Sequence, residues 1–257
     1  MIVNNKIIKF ALCVEYNGNS YHGWQKQKNK ISIQEELEKA ISLVANHQII
    51  VVCAGRTDSG VHSIGQIVHF ETVSIRKDIS WLLGVNSYLP VDIVVRWIKQ
   101  VPLFFHARYS ALSRVYRYII YNYSCRSAIF MHSICHIVHN LDVKNMYLGG
   151  QYLLGEHDFS AFRAKGCQSN TSFRNIKKIN IIKKNSIIII DIEANSFLYH
   201  MVRNIVGTLI EIGLKKKSVA WMKTVLESKD RKLCGHTASA KGLYLIYVQY
   251  PSYFNLN

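Results

Sequence analysis

The chain has 257 residues, with 32 Lys and Arg against 16 Asp and Glu and a net charge of +16. A hydrophobic fraction of 49% and only 3 Pro exclude an extended disordered protein, because there is ample apolar material for a core. No run approaches the ~20 apolar residues of a spanning helix, and Lys6 and Lys9 interrupt the N-terminal apolar stretch, so neither a membrane protein nor a secreted one is expected.

The remaining expectation is a cytoplasmic protein whose six Cys are free thiols, with no CxxC pair to suggest zinc or redox chemistry. The positive surplus favours a polyanionic partner. It is uneven: residues 1–105 hold 11 basic and 8 acidic residues, residues 106–257 hold 21 and 8. An Ile-, Asn- and Lys-rich composition of the kind an AT-rich genome produces is the alternative source of the charge.

In chain order, Ile7–Tyr16 reads as a strand ending at the turn Asn17-Gly18-Asn19. Ser32 caps a helix, with Glu35 in capping-box position and Ile33, Leu37, Ile41 and Val44 on one face. Gln48–Ala54 is a β-branched strand, Gly55–Gly60 a polar loop, and Gly65–Phe70 a returning strand. A helix over Asp78–Val85 and a strand over Ile93–Val101 close the first half. The second half repeats the order. Arg114–Tyr121 is a strand, Asp142–Leu154 a helix, and Ile176–Ile182 and Ser186–Glu193 are strands joined at Lys184-Asn185. Leu198–Ile212 and Ser218–Glu227 are helices, and Gly242–Tyr250 is a closing strand. The pattern predicts a mixed α/β (α+β) protein with a mainly antiparallel sheet and two domains, 1–105 and 106–257.

The most unusual segment is Cys53-Ala54-Gly55-Arg56-Thr57-Asp58-Ser59-Gly60-Val61-His62. A polar loop projecting from rigid strands is where catalytic groups are often placed, while a lone Asp between glycines also serves as a plain turn former. Taken alone, the segment admits both readings. It lacks the GxxxxGK[ST] of a phosphate-binding loop and the G-x-S-x-G around a nucleophilic Ser59. His62, His69 and Cys53 do not have metal-ligand spacing.

Residues 54–70, AGRTDSGVHSIGQIVHF, closely resemble the signature of the TruA-type tRNA pseudouridine synthases. Further blocks in family order extend the resemblance from about residue 7 to residue 251. They are Glu15–Gly18 and Gly23–Gln27, Phe105–Ala111, Tyr116-Arg117-Tyr118, Leu154–Phe159, Asn195–Asn204 and Gly242–Leu245. The resemblance implies isomerisation of uridine to pseudouridine at tRNA positions 38, 39 and 40, without cofactor or metal. It implies a homodimer of two related, ferredoxin-like halves with the active-site cleft between them, and no membrane partner. It puts the catalytic Asp at Asp58, its Arg partner at Arg203 and the uracil-stacking Tyr at Tyr116. Arg56 would fill the gap left by the flipped base or grip phosphate, and Leu243 would pack on the uracil.

Arg108, Arg114, Arg163, Lys165 and Arg174 are candidates for backbone phosphate. Ser59, Ser63, Ser239 and Cys234-Gly235-His236 depart from the family's commoner residues without removing a catalytic group. The alternative from another class is a tRNA-binding or tRNA-folding protein on the same scaffold without catalysis, which loss of Asp58, Tyr116 or Arg203 would favour; all three are present.

Overall fold

A computed structural model describes residues 7–256 and shows a mixed α+β chain with mostly antiparallel strand pairing and five α-helices. Among the described residues no helix is long and apolar enough to cross a membrane. The chain divides into two compact units, Met1–Leu112 with Leu245–Asn257, and Ser113–Tyr244.

In the first unit β1 (Ile8–Tyr16) pairs antiparallel with both β3 (His62–Thr72) and β4 (Ile93–Val101), and β2 (Val52–Cys53) adds to β3. Alternate β1 residues Phe10, Leu12, Val14 and Tyr16 enter one core with α1 (Ile33–Ala45) and α2 (Asp78–Tyr88). Phe10 stacks on Phe70 at 5.6 Å between ring centres, and Trp81 of α2 closes on Phe70 at 5.3 Å. Each fully buried aromatic of this kind contributes about 2–3 kcal/mol. The same alternation leaves Tyr16 at the end of the inward row.

The expected α1 cap is present, with the Ser32 hydroxyl accepting the Glu35 N–H at 3.4 Å, and Asn46 ends the helix in the left-handed region at φ 59°. The strand expected over Gln48–Ala54 shrinks to Val52–Cys53. Its backbone is claimed by α1 instead: Ile49 N–H donates to Ser42 Oγ and Val51 N–H to a Glu38 carboxylate oxygen. Ile49 and Val51 are buried and Ile50 is exposed, so the alternation is real while the ladder bonds are not.

In the second unit the strand order is β5–β9–β8–β7 (Ser113–Asn122, Ile187–Ala194, Phe173–Lys184, Gly155–Asp158), with short β6 (Cys135–Ile137) parallel beside β5. Asn185 takes φ 54° in the β8–β9 turn. Ile120, Tyr118 and Tyr116 face Ile188, Ile190 and Ile192 across the β5–β9 ladder, forming one buried row that Arg114 and Ala194 continue beyond Tyr116. Helices α3 (Val143–Gln151) and α4 (Met201–Gly213) contribute Met146, Ile205, Leu209 and Ile212 to the core, and α5 (Trp221–Ser228) adds Met222 and Val225. Helix α4 begins three residues later than its pattern predicts, because His200 sits at φ 60° and the preceding residues form a loop. β10 (Leu243–Gln249) follows a short 3₁₀ turn.

Candidate active site

In the first unit the loop between β2 and β3 is held at almost every residue. Ala54 N–H donates to Ile67 O at 2.7 Å. Gln66 of β3, fully buried, donates its amide to Gly55 O at 2.6 Å and accepts Gly55 N–H at 3.3 Å. Thr57 is bonded to the Tyr16 hydroxyl at 2.8 Å, and its carbonyl accepts Trp24 N–H at 3.0 Å. The Ser59 hydroxyl donates to Tyr21 O. Val61 N–H donates to Asp58 O at 3.1 Å, closing a turn that needs Gly60 at φ 76°.

Gly23 seals the arrangement. At φ +87° it lies so close that an added Cβ would fall 2.7 Å from Thr57 O and 3.0 Å from the Asp58 carbonyl carbon. Asp58 is thus a half-buried carboxylate on a pre-set backbone, which is what positioned chemistry requires. Arg56, beside it, is exposed. Arg56 and Arg108 both act on buried Cys53, whose thiol is pushed up to about 12 mainly by burial and lowered in part by those two cations.

The Phe105–Ala111 segment is a second rigid turn of this unit. His69 Nδ1 accepts Ala107 N–H at 3.1 Å, and His106 Nδ1 accepts the N–H groups of Arg108 and Tyr109, each at 3.2 Å. Tyr109 stacks on His106 at 4.2 Å and carries the Arg108 guanidinium 5.7 Å from its ring centre. Arg108 and Tyr109 are exposed, a cation and an aromatic side by side.

In the second unit Tyr116 is buried, its ring edge-on to Phe197 at 5.0 Å in the loop before α4. Arg203, half-buried in the first turn of α4, donates from Nε to Ala238 O at 2.8 Å, and Ala238 N–H donates back to Arg203 O at 3.1 Å. That pair fixes the segment leading to Leu243, itself buried at the start of β10. The Arg203 charge also reaches the Tyr118 hydroxyl, which burial above all else raises well beyond its ordinary value.

Asn204 is the hub beneath. It donates to Phe162 O at 2.8 Å and accepts from Thr237 Oγ1 at 2.7 Å and Arg231 at 3.0 Å. Arg114 is buried, with its guanidinium donating to Asn195 O at 2.8 Å.

The family model for tRNA pseudouridine synthase matches residues 12–110 and 150–251. The chain belongs to the tRNA pseudouridine synthase family. It is 60% identical to tRNA pseudouridine synthase A of Buchnera aphidicola subsp. Acyrthosiphon pisum (strain Tuc7), over 99% of this chain and 96% of that protein. It is 55% identical to the protein of that name in Aliivibrio salmonicida (strain LFI1238), over 97% and 95%. It is 52% identical to that of Citrobacter koseri (strain ATCC BAA-895 / CDC 4225-83 / SGSC4696), over 97% and 93%. Asp58, Arg56, Arg108, Arg203 and Leu243 lie inside the segments matched by the family model, whereas Arg114 and Tyr116 fall between them.

Several residues that hold this synthase's loops were not singled out from sequence: Gln66, Thr57, Phe197 and Asn204. A glutamine inside a strand of apolar neighbours is the one signal among them, since a buried amide needs partners. Arg174 moves the other way. It is buried, donating to Thr171 O, Phe173 O and Ser169 Oγ, so its guanidinium secures a loop of its own unit.

The histidine turn gives a pH prediction. Burial first, then His106 and Lys9, lower His69 to about 4, and burial also lowers His106. Both rings are neutral acceptors in the fold, so the unfolded chain binds more protons below pH 6.5, and stability falls as pH drops from 6.5 towards 4. For His69 this amounts to about 2 kcal/mol between pH 6.5 and 5. Urea unfolding at the two pH values checks it, with His69→Asn flattening the difference; equal wild-type stability at both would refute it.

Proposed function

We propose that this chain isomerises uridine to pseudouridine at positions 38, 39 and 40 of the tRNA anticodon stem-loop, as a cytoplasmic homodimer. The observation that carries the reading is the near full-length match to tRNA pseudouridine synthases, and the rigid loop that presents Asp58 supports it. In the reaction the N1–C1′ bond of the target breaks, the uracil turns, a C5–C1′ bond forms, and the C5 proton leaves as N1 gains one. Atoms and oxidation level balance within the nucleotide.

Asp58 supplies the carboxylate, either attacking C1′ or removing the 2′ proton of the sugar. Both routes need it ionised, a form that a neighbouring cation favours, and the family resemblance gives that role to Arg203. A base stacked in the anticodon arm must be extruded at a cost of a few kcal/mol, which stacking on Tyr116 and packing on Leu243 offset, while Arg56 occupies the gap. Arg108 and Arg114 would hold phosphate. Arg108, exposed over Tyr109, is the better placed, because Arg114 already serves Asn195.

The test uses unmodified tRNA transcripts carrying uridine at only one of positions 38, 39 or 40. Pseudouridine mapping should find product at each. Product confined to another arm of the tRNA would overturn the positional reading, and the protein's mass in solution decides the dimer.

A further inference from the structure

A cleft of about 440 Å³ opens in the second unit beside the loop after β7, lined by Ser160, Arg163, Lys165, Gly166, Cys167 and Arg231 among others. Three of these are cations and none is a carboxylate. Asp158, which Ser160 contacts, is also paired with Lys229 at 3.7 Å. The cations differ in how far they are committed. Arg231 spends its guanidinium on Gly235 O, Asn204 and Thr237. Arg163 uses one terminal nitrogen on Cys167 O at 2.8 Å and Ser169 O at 2.9 Å and also reaches the Cys167 thiol, which leaves part of its guanidinium for a ligand.

The Lys165 ammonium makes no bond among the described residues, and the backbone N–H groups of Lys165 and Gly166 find no acceptor there, while residues 165–166 form a turn that the Cys167 N–H closes. Gly166 turns the chain at φ +83°, with open space where a side chain would stand. Behind the loop, buried Arg174 adds charge, its Nε without a partner. Uncommitted donors, successive free N–H groups and unbalanced positive charge in one concavity suit a phosphate-sized anion.

We propose that this cleft is a phosphate subsite that seats one phosphodiester of the tRNA backbone on Arg163, Lys165 and the amides of Lys165 and Gly166. The proposal rests on the tRNA reading above. It assigns Arg163 and Lys165 a built pocket in place of diffuse surface charge, and it separates them from Arg174, which holds the loop from behind.

Cys167 supplies a local reporter. Burial by itself would raise its thiol, but the N–H groups of Tyr199 and Ser169 and the charge of Arg163 together bring it below its ordinary value. That direction and its partial exposure make Cys167 a usable labelling site. Iodoacetamide labelling is followed by peptide mass, with exposed Cys125 as the internal standard. Saturating tRNA should slow labelling of Cys167 about tenfold and leave Cys125 unchanged, and millimolar inorganic phosphate should shield far less.

Lys165→Gln should weaken tRNA binding roughly three- to tenfold at low salt and lower the slope of log K against log salt by about one. Lys144→Gln, an exposed lysine on α3, should do neither. Equal Cys167 labelling with and without tRNA, or an unchanged slope in Lys165→Gln, would overturn the proposal. Shielding by inorganic phosphate but not by tRNA would make the site one for a small anion and overturn the RNA assignment. Pseudouridine formation is followed on the same wild-type sample: product without shielding sinks the subsite alone, whereas no product sinks the tRNA reading beneath it.

Discussion

Asp58→Asn should abolish pseudouridine formation, by a factor on the order of 10³ or more, and leave the melting temperature and tRNA affinity close to wild type. The two side chains are nearly isosteric. The loop bonds run through neighbours: Gln66 to Gly55, Tyr16 and Trp24 to Thr57, Ser59 to Tyr21, and the Asp58 carbonyl to Val61. None of these requires a charge at position 58, and the Asn amide oxygen can still accept where the carboxylate oxygen does. An amide can neither attack C1′ nor take the 2′ proton, so chemistry is lost and the frame is kept. Asp58 as a turn former would give the opposite pattern, a destabilised protein with product formation scaled to the folded fraction. The two quantities together decide between the readings.

The second large effect is expected at Gly207. An added Cβ there would fall 1.7 Å from His236 O, a backbone atom of the segment that Arg203 clamps through Ala238. No side-chain rotation relieves such a contact, so α4 or residues 236–238 must move. Overpacking of this kind costs about 1–3 kcal/mol, and the reciprocal Arg203–Ala238 bonds would be strained with it. Gly207→Ala should therefore lose about 3 kcal/mol of stability, lowering the melting temperature by roughly 6–12 °C, with a larger fall in activity than the folded fraction explains. Gly149→Ala is the control: its Cβ would meet side-chain atoms alone, the tightest being the flexible Ile212 Cδ1 at 3.1 Å, and the change should stay within about 1 kcal/mol. Equal melting temperatures for the two variants would show that the α4–loop contact yields cheaply.

The helices of the core and the long strands were legible because each buries one face with a regular period. The Ser32 cap and the turn at Lys184-Asn185 followed from residue chemistry alone, and the structure adds that Asn185 takes the left-handed region there. Residues 48–51 misled because β-branched alternation reports burial and does not report which group takes the backbone bonds; Ser42 and Glu38 of α1 took them. β6 and β7 escaped because three- and four-residue strands carry too little pattern.

The Asp58 loop stood out by composition, yet its function was legible only through resemblance to a family. Its rigidity rests on partners outside the loop, Gln66, Tyr16 and Gly23, which lie in the blocks that carry the resemblance but whose bonds to the loop no local pattern announces. Arg174 is the converse case. As one basic residue among many it resembles a surface charge, and only burial against Thr171 and Phe173 shows that it secures a loop.

The central claim is that this chain moves the uracil from its N1 to its C5 attachment in tRNA. Forming the C5–C1′ bond must release the hydrogen on C5, so a tRNA transcript labelled with tritium at uracil C5 reports the event directly. Wild-type protein should release label to water in step with the pseudouridine mapped in the anticodon arm, and Asp58→Asn should release none. Tight tRNA binding with no tritium release from the wild type would contradict the account and leave a tRNA-binding protein without catalysis.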